Sequence, residues 1–255
     1  MSRGSDVDPI DPFAGLEAAV FERPVLSLCL PLPRGRPNWR ALVDQVVEAE
    51  FENPPGELAE ELEGVIADLE QRHFECSGLA IFSSRPLGIF QLWRLPEPVP
   101  PRLAWMNWFD LEPIRAQLER RPPTLIALVD KEGARLFSAV LDQTEELLAV
   151  EGVEVSRHRQ GGWSAADFQR HEDEQARANL ASAARAVERL LSRGFHRRLV
   201  LAGPPEARAE LERLLSPRAR ATVTLRGHAE RRIEGADLRR SLRRLLASIA
   251  EGGPR

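Results

Sequence analysis

The sequence has little cysteine, almost no lysine and no long apolar run. Two cysteines, Cys29 and Cys76, stand among 255 residues. Both sit in apolar surroundings, "LSLCLPL" and "HFECSGLAIF", so two buried free thiols in a reducing compartment are expected rather than a disulfide. Two are also too few for a four-ligand zinc site. The five histidines, His73, His158, His171, His196 and His228, are scattered. They show neither metal-ligand spacing nor a legible Ser-His-Asp arrangement, and no metal or cofactor is expected. No apolar run reaches the roughly 18 residues of a membrane span. The start, "MSRGSDVDPIDPF", is acidic and contains proline but no apolar stretch of the signal-peptide kind. The disulfide-scaffold, zinc-module and membrane classes are thereby excluded, and a cytoplasmic protein is expected.

What is present is ordinary in bulk, with 43% hydrophobic and 29% charged residues, and long enough for one large or two small domains. The charge is unevenly placed. Residues 1–122 carry 12 basic and 20 acidic side chains, whereas the segment from Ser156 onward carries 21 and 12. Lys131 is the single lysine, and the other 34 basic residues are arginine. Biased codon usage explains the choice of arginine but not its concentration in the second half, which points weakly to nucleic acid.

Periodicity divides the chain into two α/β domains, 1–122 and 123–255, with residues 1–23 expected to be a flexible lead. In the first domain, 24–33 alternates Leu26, Leu28 and Leu30 as a strand ended by prolines. Helical spacing follows over 38–51 and 57–74. "GLAIFSS" and "GIFQLWRL" read as two strands around "RPLG", "EPVPPRLAW" as a proline-broken connection, and 110–119 as a short helix. In the second, "TLIALVD" and "ARLFSAVL" form a hairpin across "DKEG", and "EELLAVEGVEV" supplies a third strand. A long helix then begins near Ser164 and ends before Gly194, a C-cap residue. Strand, helix, strand and closing helix complete a β-β-β-α-β-α-β-α order, that of ribonuclease H-like domains. The chain has no internal repeat.

The most unusual stretch is "HRQGGWSAADFQRH", His158 to His171. Gly-Gly before a capped helix is a common turn, and a tryptophan there can fold back onto the core. The flanks offer another use. Arg157, His158, Arg159, Gln160 and Arg170 bracket Gly161 and Gly162, whose backbone permits close approach to a ligand. N–H groups at a helix start favour anions. Arginine for phosphate and indole for base stacking together suit RNA, with Trp163 the stacking residue.

This stretch resembles the loop and following helix of the archaeal and eukaryotic class I peptide-chain release factors. Those carry a basic segment, Gly-Gly-Gln-Ser-Ala, and a phenylalanine three residues later. Gly161, Gly162, Ser164, Ala165 and Phe168 match, and Trp163 stands at the glutamine position. "LIALVDKEGARLFSAVLDQTEEL" and "RRLVLAGPPEARAEL" are similar to the opening hairpin and a later strand and helix of their middle domain, so the resemblance runs from about Pro123 to Glu251. The first half, with "PVLSLCLPL" and "GLAIFSS", resembles the N-terminal domain of the bacterial branch of that superfamily, which includes relatives of Pelota and of the Vms-type factors. Complete members carry a third domain, which is not expected within these 255 residues.

The resemblance implies a ribosome-associated factor, meeting ribosomal RNA and peptidyl-tRNA near the A site and peptidyl-transferase centre, in rescue, release or hibernation. It leaves a translational GTPase as a candidate partner and sets no oligomeric state. In the family the glutamine helps place water against the peptidyl-tRNA ester. Indole, a donor only and large, cannot do so, and neither Gln160 nor Gln169 holds that position. Loop N–H groups can still stabilise an oxyanion. Efficient hydrolysis is therefore not expected, though the catalytic candidates, if any, are Gly161, Gly162, Trp163 and Ser164. An active hydrolase with an atypical loop and a non-ribosomal interaction paralogue remain the alternatives. Asp130, at the end of the first strand of the second domain, is where nucleases of that fold keep a metal-binding carboxylate, but "VDKEG" reads mainly as a hairpin turn. Trp105 and Trp108 read chiefly as packing residues, with a partner surface as the alternative.

Overall fold

A computed structural model describes residues 13–17, 19–32, 37–152 and 165–250. Contacts between Cα atoms divide the chain into two units, 1–121 with 140–143, and 122–139 with 144–255.

In the first unit, strands β1 (Val25–Pro31), β2 (Gly78–Ser84), β3 (Ile89–Leu95) and β4 (Arg102–Met106) form an antiparallel sheet in the order β3-β2-β1-β4. Helices α2 (Trp39–Glu50) and α3 (Gly56–Glu70) cover one face. Alternation in β1 sends Leu26, Leu28 and Leu30 to that face, where they meet Trp39, Val43, Leu58, Leu62 and Leu69. Asn38 caps α2 by accepting from the Ala41 N–H at 3.1 Å. The proline-broken connection contains a strand after all. Pro98, Pro100 and Pro101 all precede β4, which lies at the sheet edge, where a proline-flanked strand costs no ladder bond. Residues 1–12 lie outside the described residues; within 13–23, Phe13 is buried with its ring 4.3 Å from that of Trp93, and α1 (Ala14–Glu17) follows it. The short α4 (Glu112–Arg120) closes the unit. Trp105 packs against the core while Trp108 is 52% exposed.

The second unit contains a five-stranded mixed sheet of order β7-β6-β5-β8-β9. β5 (Thr124–Asp130), β6 (Gly133–Val140) and β7 (Gln143–Glu151) follow one another as hairpins. β8 (Arg198–Ala202) and β9 (Val223–Gly227) run parallel to β5. The crossovers are α5 (Ala165–Ser192) and the pair α6 (Pro205–Leu214) and α7 (Pro217–Arg220), and α8 (Gly235–Ala250) ends the unit. This is the ribonuclease H-like order that the sequence pattern predicts.

The near-continuous apolar run of β5 reflects burial on both faces. Leu125, Ala127 and Val129 pack with Leu180, Ala183 and Val187 of α5 and Leu211 of α6. Ile126 and Leu128 face the other way, onto Leu242 and Leu245 of α8. α5 and α8 thus lie on opposite faces of one sheet.

Candidate functional site

The Gly-Gly-Trp stretch joins the end of β7 to the start of α5. Arg157, His158, Arg159, Gln160, Gly161, Gly162, Trp163 and Ser164 lie outside the described residues, and Arg170 is exposed near the start of α5. Two ends hold the stretch.

The first end is strongly braced. Glu151, Gly152 and the β5–β6 turn converge on Arg231, whose side chain is 4% exposed. Its guanidinium pairs with Asp130 at 2.9 Å and with Glu151 at 2.8 Å, and lies 3.5 Å from Glu132. Burial disfavours the charge on Arg231, but its pairing with Asp130 and the hydrogen bonds it donates to Glu151 outweigh it and hold its pKa above the ordinary arginine value. A second arginine, Arg135 of β6, meets Glu146 of β7 through Nε at 2.9 Å and Nη2 at 2.6 Å. Its Nη1 donates to the carbonyls of Arg231 and Ile233. That two-bonded pair raises the Arg135 pKa and lowers that of Glu146. The segment 231–233, the hairpin and the end of β7 are therefore one ionic knot.

Backbone packing completes it. The Gly152 N–H donates to the Glu132 carbonyl at 2.8 Å, and Asn179 of α5, buried at 4% exposure, donates from Nδ2 to the Lys131 carbonyl at 3.1 Å. A Cβ on Gly152 would fall 2.2 Å from Cγ of Asn179, and one on Gly133 would fall 2.0 Å from the Val150 carbonyl oxygen. Only glycine lets these strands and α5 close to this distance.

The other end is the start of a long helix. α5 spans 28 residues, about 42 Å at 1.5 Å per residue. Among the positions of α5 whose burial is described, the first buried ones are Asn179 and Leu180, and Arg170, Asp173, Glu174, Arg177 and Ala178 are exposed. The helix start therefore stands about 21 Å along the axis from Asn179.

Other candidate chemistry is used up internally. Asp130 accepts from the N–H groups of Glu132 and Gly133 at 2.8 and 3.1 Å as well as pairing with Arg231. It is a turn-and-knot residue, and among the described residues no group of three or more His, Cys, Asp or Glu could hold a metal. A buried Ser138–His196 pair, Oγ to Nε2 at 2.8 Å, escaped the sequence reading because 58 residues separate its members. Burial pushes the His196 pKa down to about 4, and Nδ1 meets no partner. With no carboxylate to orient the ring and no access for a substrate, the pair is a packing element rather than a nucleophile and base. Cys29 is buried and its thiol is pushed up to about 12, chiefly by burial, with Asp110 adding to it. Cys76 is only partly buried and shifted the same way. No helix among the described residues is long and apolar enough to cross a membrane.

A sequence model described as bacterial archaeo-eukaryotic release factor family 10 matches residues 110–248, more than half of the chain. The chain belongs to this family. The match takes in the whole of the knot, the stretch between β7 and α5, and nearly all of α8. No curated protein sequence matches this family member. Among solved structures it is similar to an archaeal translation termination factor, aRF1, at 16% identity over 93% of this chain and 68% of that one, with a TM-score of 0.36. An archaeal protein gives 17%, 93%, 72% and 0.38. Pelota of Archaeoglobus fulgidus gives 11% and 0.32, with 91% of this release-factor-like chain covering 58% of the Pelota chain. The family match alone carries the assignment; these structural likenesses add no argument to it.

Proposed function

We propose that this protein is a cytoplasmic, ribosome-associated factor that places the 153–164 segment near the A site and peptidyl-transferase centre, in rescue, release or hibernation. The observation that carries the reading is the family match across the unit bearing that segment. The frame supports it: a braced root at Arg231 and Asn179, and about 21 Å of helix on the other side, suit delivery of a short segment into a deep cleft. Arg157, His158, Arg159, Gln160 and Arg170 contact phosphate, and Trp163 stacks on a base, worth roughly 1–3 kcal/mol. Trp163 supplies no water-positioning carbonyl, so peptidyl-tRNA hydrolysis is slow at best. Partners are ribosomal RNA and peptidyl-tRNA, with a translational GTPase as a further candidate.

Co-sedimentation with bacterial ribosomes and peptide release from a programmed ribosome test the reading together. The wild type is expected to sediment with ribosomes and release little peptide. Replacing Arg157, Arg159 and Arg170 by Gln should weaken sedimentation most at moderate salt, and Trp163→Gln should raise release if the loop otherwise serves. Sedimentation indifferent to the triple change would overturn the assigned contacts. Rapid release by the wild type would make the backbone N–H groups of Gly161 to Ser164 sufficient for catalysis. A wild type that never sediments would leave the non-ribosomal paralogue.

A further inference from the structure

We propose that the outward face of α8 is a second binding surface, for the phosphate backbone of structured RNA. It rests on the ribosomal reading for the choice of RNA; the polyanion site itself stands on geometry. Leu242 and Leu245, with Leu238, Leu246 and Ile249, turn one side of α8 onto the sheet. Arg239, Arg240, Arg243 and Arg244 are all exposed on the other. With Ala236 and Ala247 at the two ends they line an open groove of about 480 Å³.

Two of the four arginines on this face have no acid partner among the described residues. Arg240 pairs with Asp237 at 2.9 Å, and both are well exposed. Neither Arg239 nor Arg244 meets a carboxylate within 4 Å among the described residues. Elsewhere in the unit Arg135, Arg213, Arg226 and Arg231 each hold an acid. Arg239 with Arg243, and Arg240 with Arg244, are like charges four residues apart, a spacing that destabilises a helix. The like-charge spacing costs stability, and among the described residues no acid offsets it at Arg239 or Arg244.

The groove selects its ligand. Two arginine pairs stand about 6 Å apart along the helix, a spacing that a strand with a charge roughly every 3.4 Å can meet at both levels. Guanidinium forks bind phosphate in pairs of bonds. The lining is arginine and alanine only, with no aromatic or amide to read a base, so contact is to backbone and independent of sequence. A membrane surface is disfavoured because the apolar side of α8 is already buried in the core and cannot insert. The surface is on the sheet face opposite α5.

The test uses the full chain, a naked 20-base-pair RNA duplex, bacterial ribosomes and phosphatidylserine vesicles. Arg239→Gln, Arg243→Gln and Arg244→Gln together should lower duplex affinity on the order of 10²-fold near 0.1 M salt and make the log–log salt slope shallower by about 2.7, at about 0.9 per lost contact. The triple change to Lys keeps the charges and should keep the slope, separating charge from misfolding. An unchanged slope in the Gln variant, loss of binding with Lys as complete as with Gln, or wild-type binding to vesicles but not duplex would each overturn the proposal. Failure of the wild type to sediment with ribosomes would overturn the ribosomal reading, while the duplex measurement still decides α8.

Discussion

Gly152→Ala is the most informative single change, because its cost is set by one neighbour. The backbone of Gly152 is not in the left-handed region, so alanine there carries no conformational strain of its own. On that ground alone the change would stabilise by about 0.4–1 kcal/mol through the unfolded chain. The new methyl, however, would stand 2.2 Å from Cγ and Oδ1 of Asn179 and 2.7 Å from its Cβ. Asn179 is buried and has no room to swing away, so overpacking costs about 1–3 kcal/mol. Displacing its amide from the Lys131 carbonyl adds about 1–3 kcal/mol for the unpaired group. The net expectation is about 1–5 kcal/mol of destabilisation. Asn179→Ala removes Cγ and Oδ1 and leaves only the 2.7 Å contact, which a small shift can relieve. Gly152→Ala should therefore cost at least about 1 kcal/mol less in the Asn179→Ala background, a coupling of the size neighbouring residues show. Urea denaturation of the four proteins measures it, with amide exchange at β7 locating the effect. Additive costs, or a harmless Gly152→Ala in the wild type, would refute the packing argument.

Arg231→Met should destabilise the second unit by about 2–3 kcal/mol. A broken buried pair costs about 3–5 kcal/mol, reduced here because the Glu151 side chain is 66% exposed and screened; a thermal melt of the variant checks it. His196 has a folded-state pKa of about 4, below its ordinary 6.5, so the unfolded chain binds the extra proton first. Its contribution is complete above about pH 6.5 and is lost as pH falls toward 4, worth up to about 3 kcal/mol; His196→Gln should flatten that part of the stability–pH curve. Cys76 should react with a thiol reagent at pH 8 well before Cys29, whose thiol is more deeply buried; equal rates would contradict the burial assignment. Trp163→Ala should lower stability by well under 1 kcal/mol, as surface substitutions do, while weakening ribosome affinity; a large melting shift with unchanged affinity would make the indole a packing residue.

The elements with strong periodicity were legible in the sequence. The alternating leucines of β1, the apolar run of β5 and the stripe of α5 from Leu180 onward each announce the face they bury. β4 was not legible, because Pro98 to Pro101 mask a five-residue edge strand whose flanks, not its interior, hold the prolines. The family membership was legible in the stretch around Gly161 and Gly162 and in "LIALVDKEGARLF". The knot was not. Arg231 meets Glu151 80 residues away, and nothing in "AERRIEG" tells one arginine that is buried from its exposed neighbour Arg232. The α8 surface was not legible either, since a helical wheel shows which arginines point outward but not that Arg239 and Arg244 meet no acid among the described residues.

The length of α5 beyond its buried half has a mechanical consequence. Asn179 approaches the root of the segment at Gly152 and is the first buried position described along α5, so packing there bears on the direction of the helix. With an arm of about 21 Å, a tilt of about 5° at that point moves the helix start by about 2 Å. Small changes in packing around Asn179 are thus magnified into displacements comparable to the tolerance of an active site.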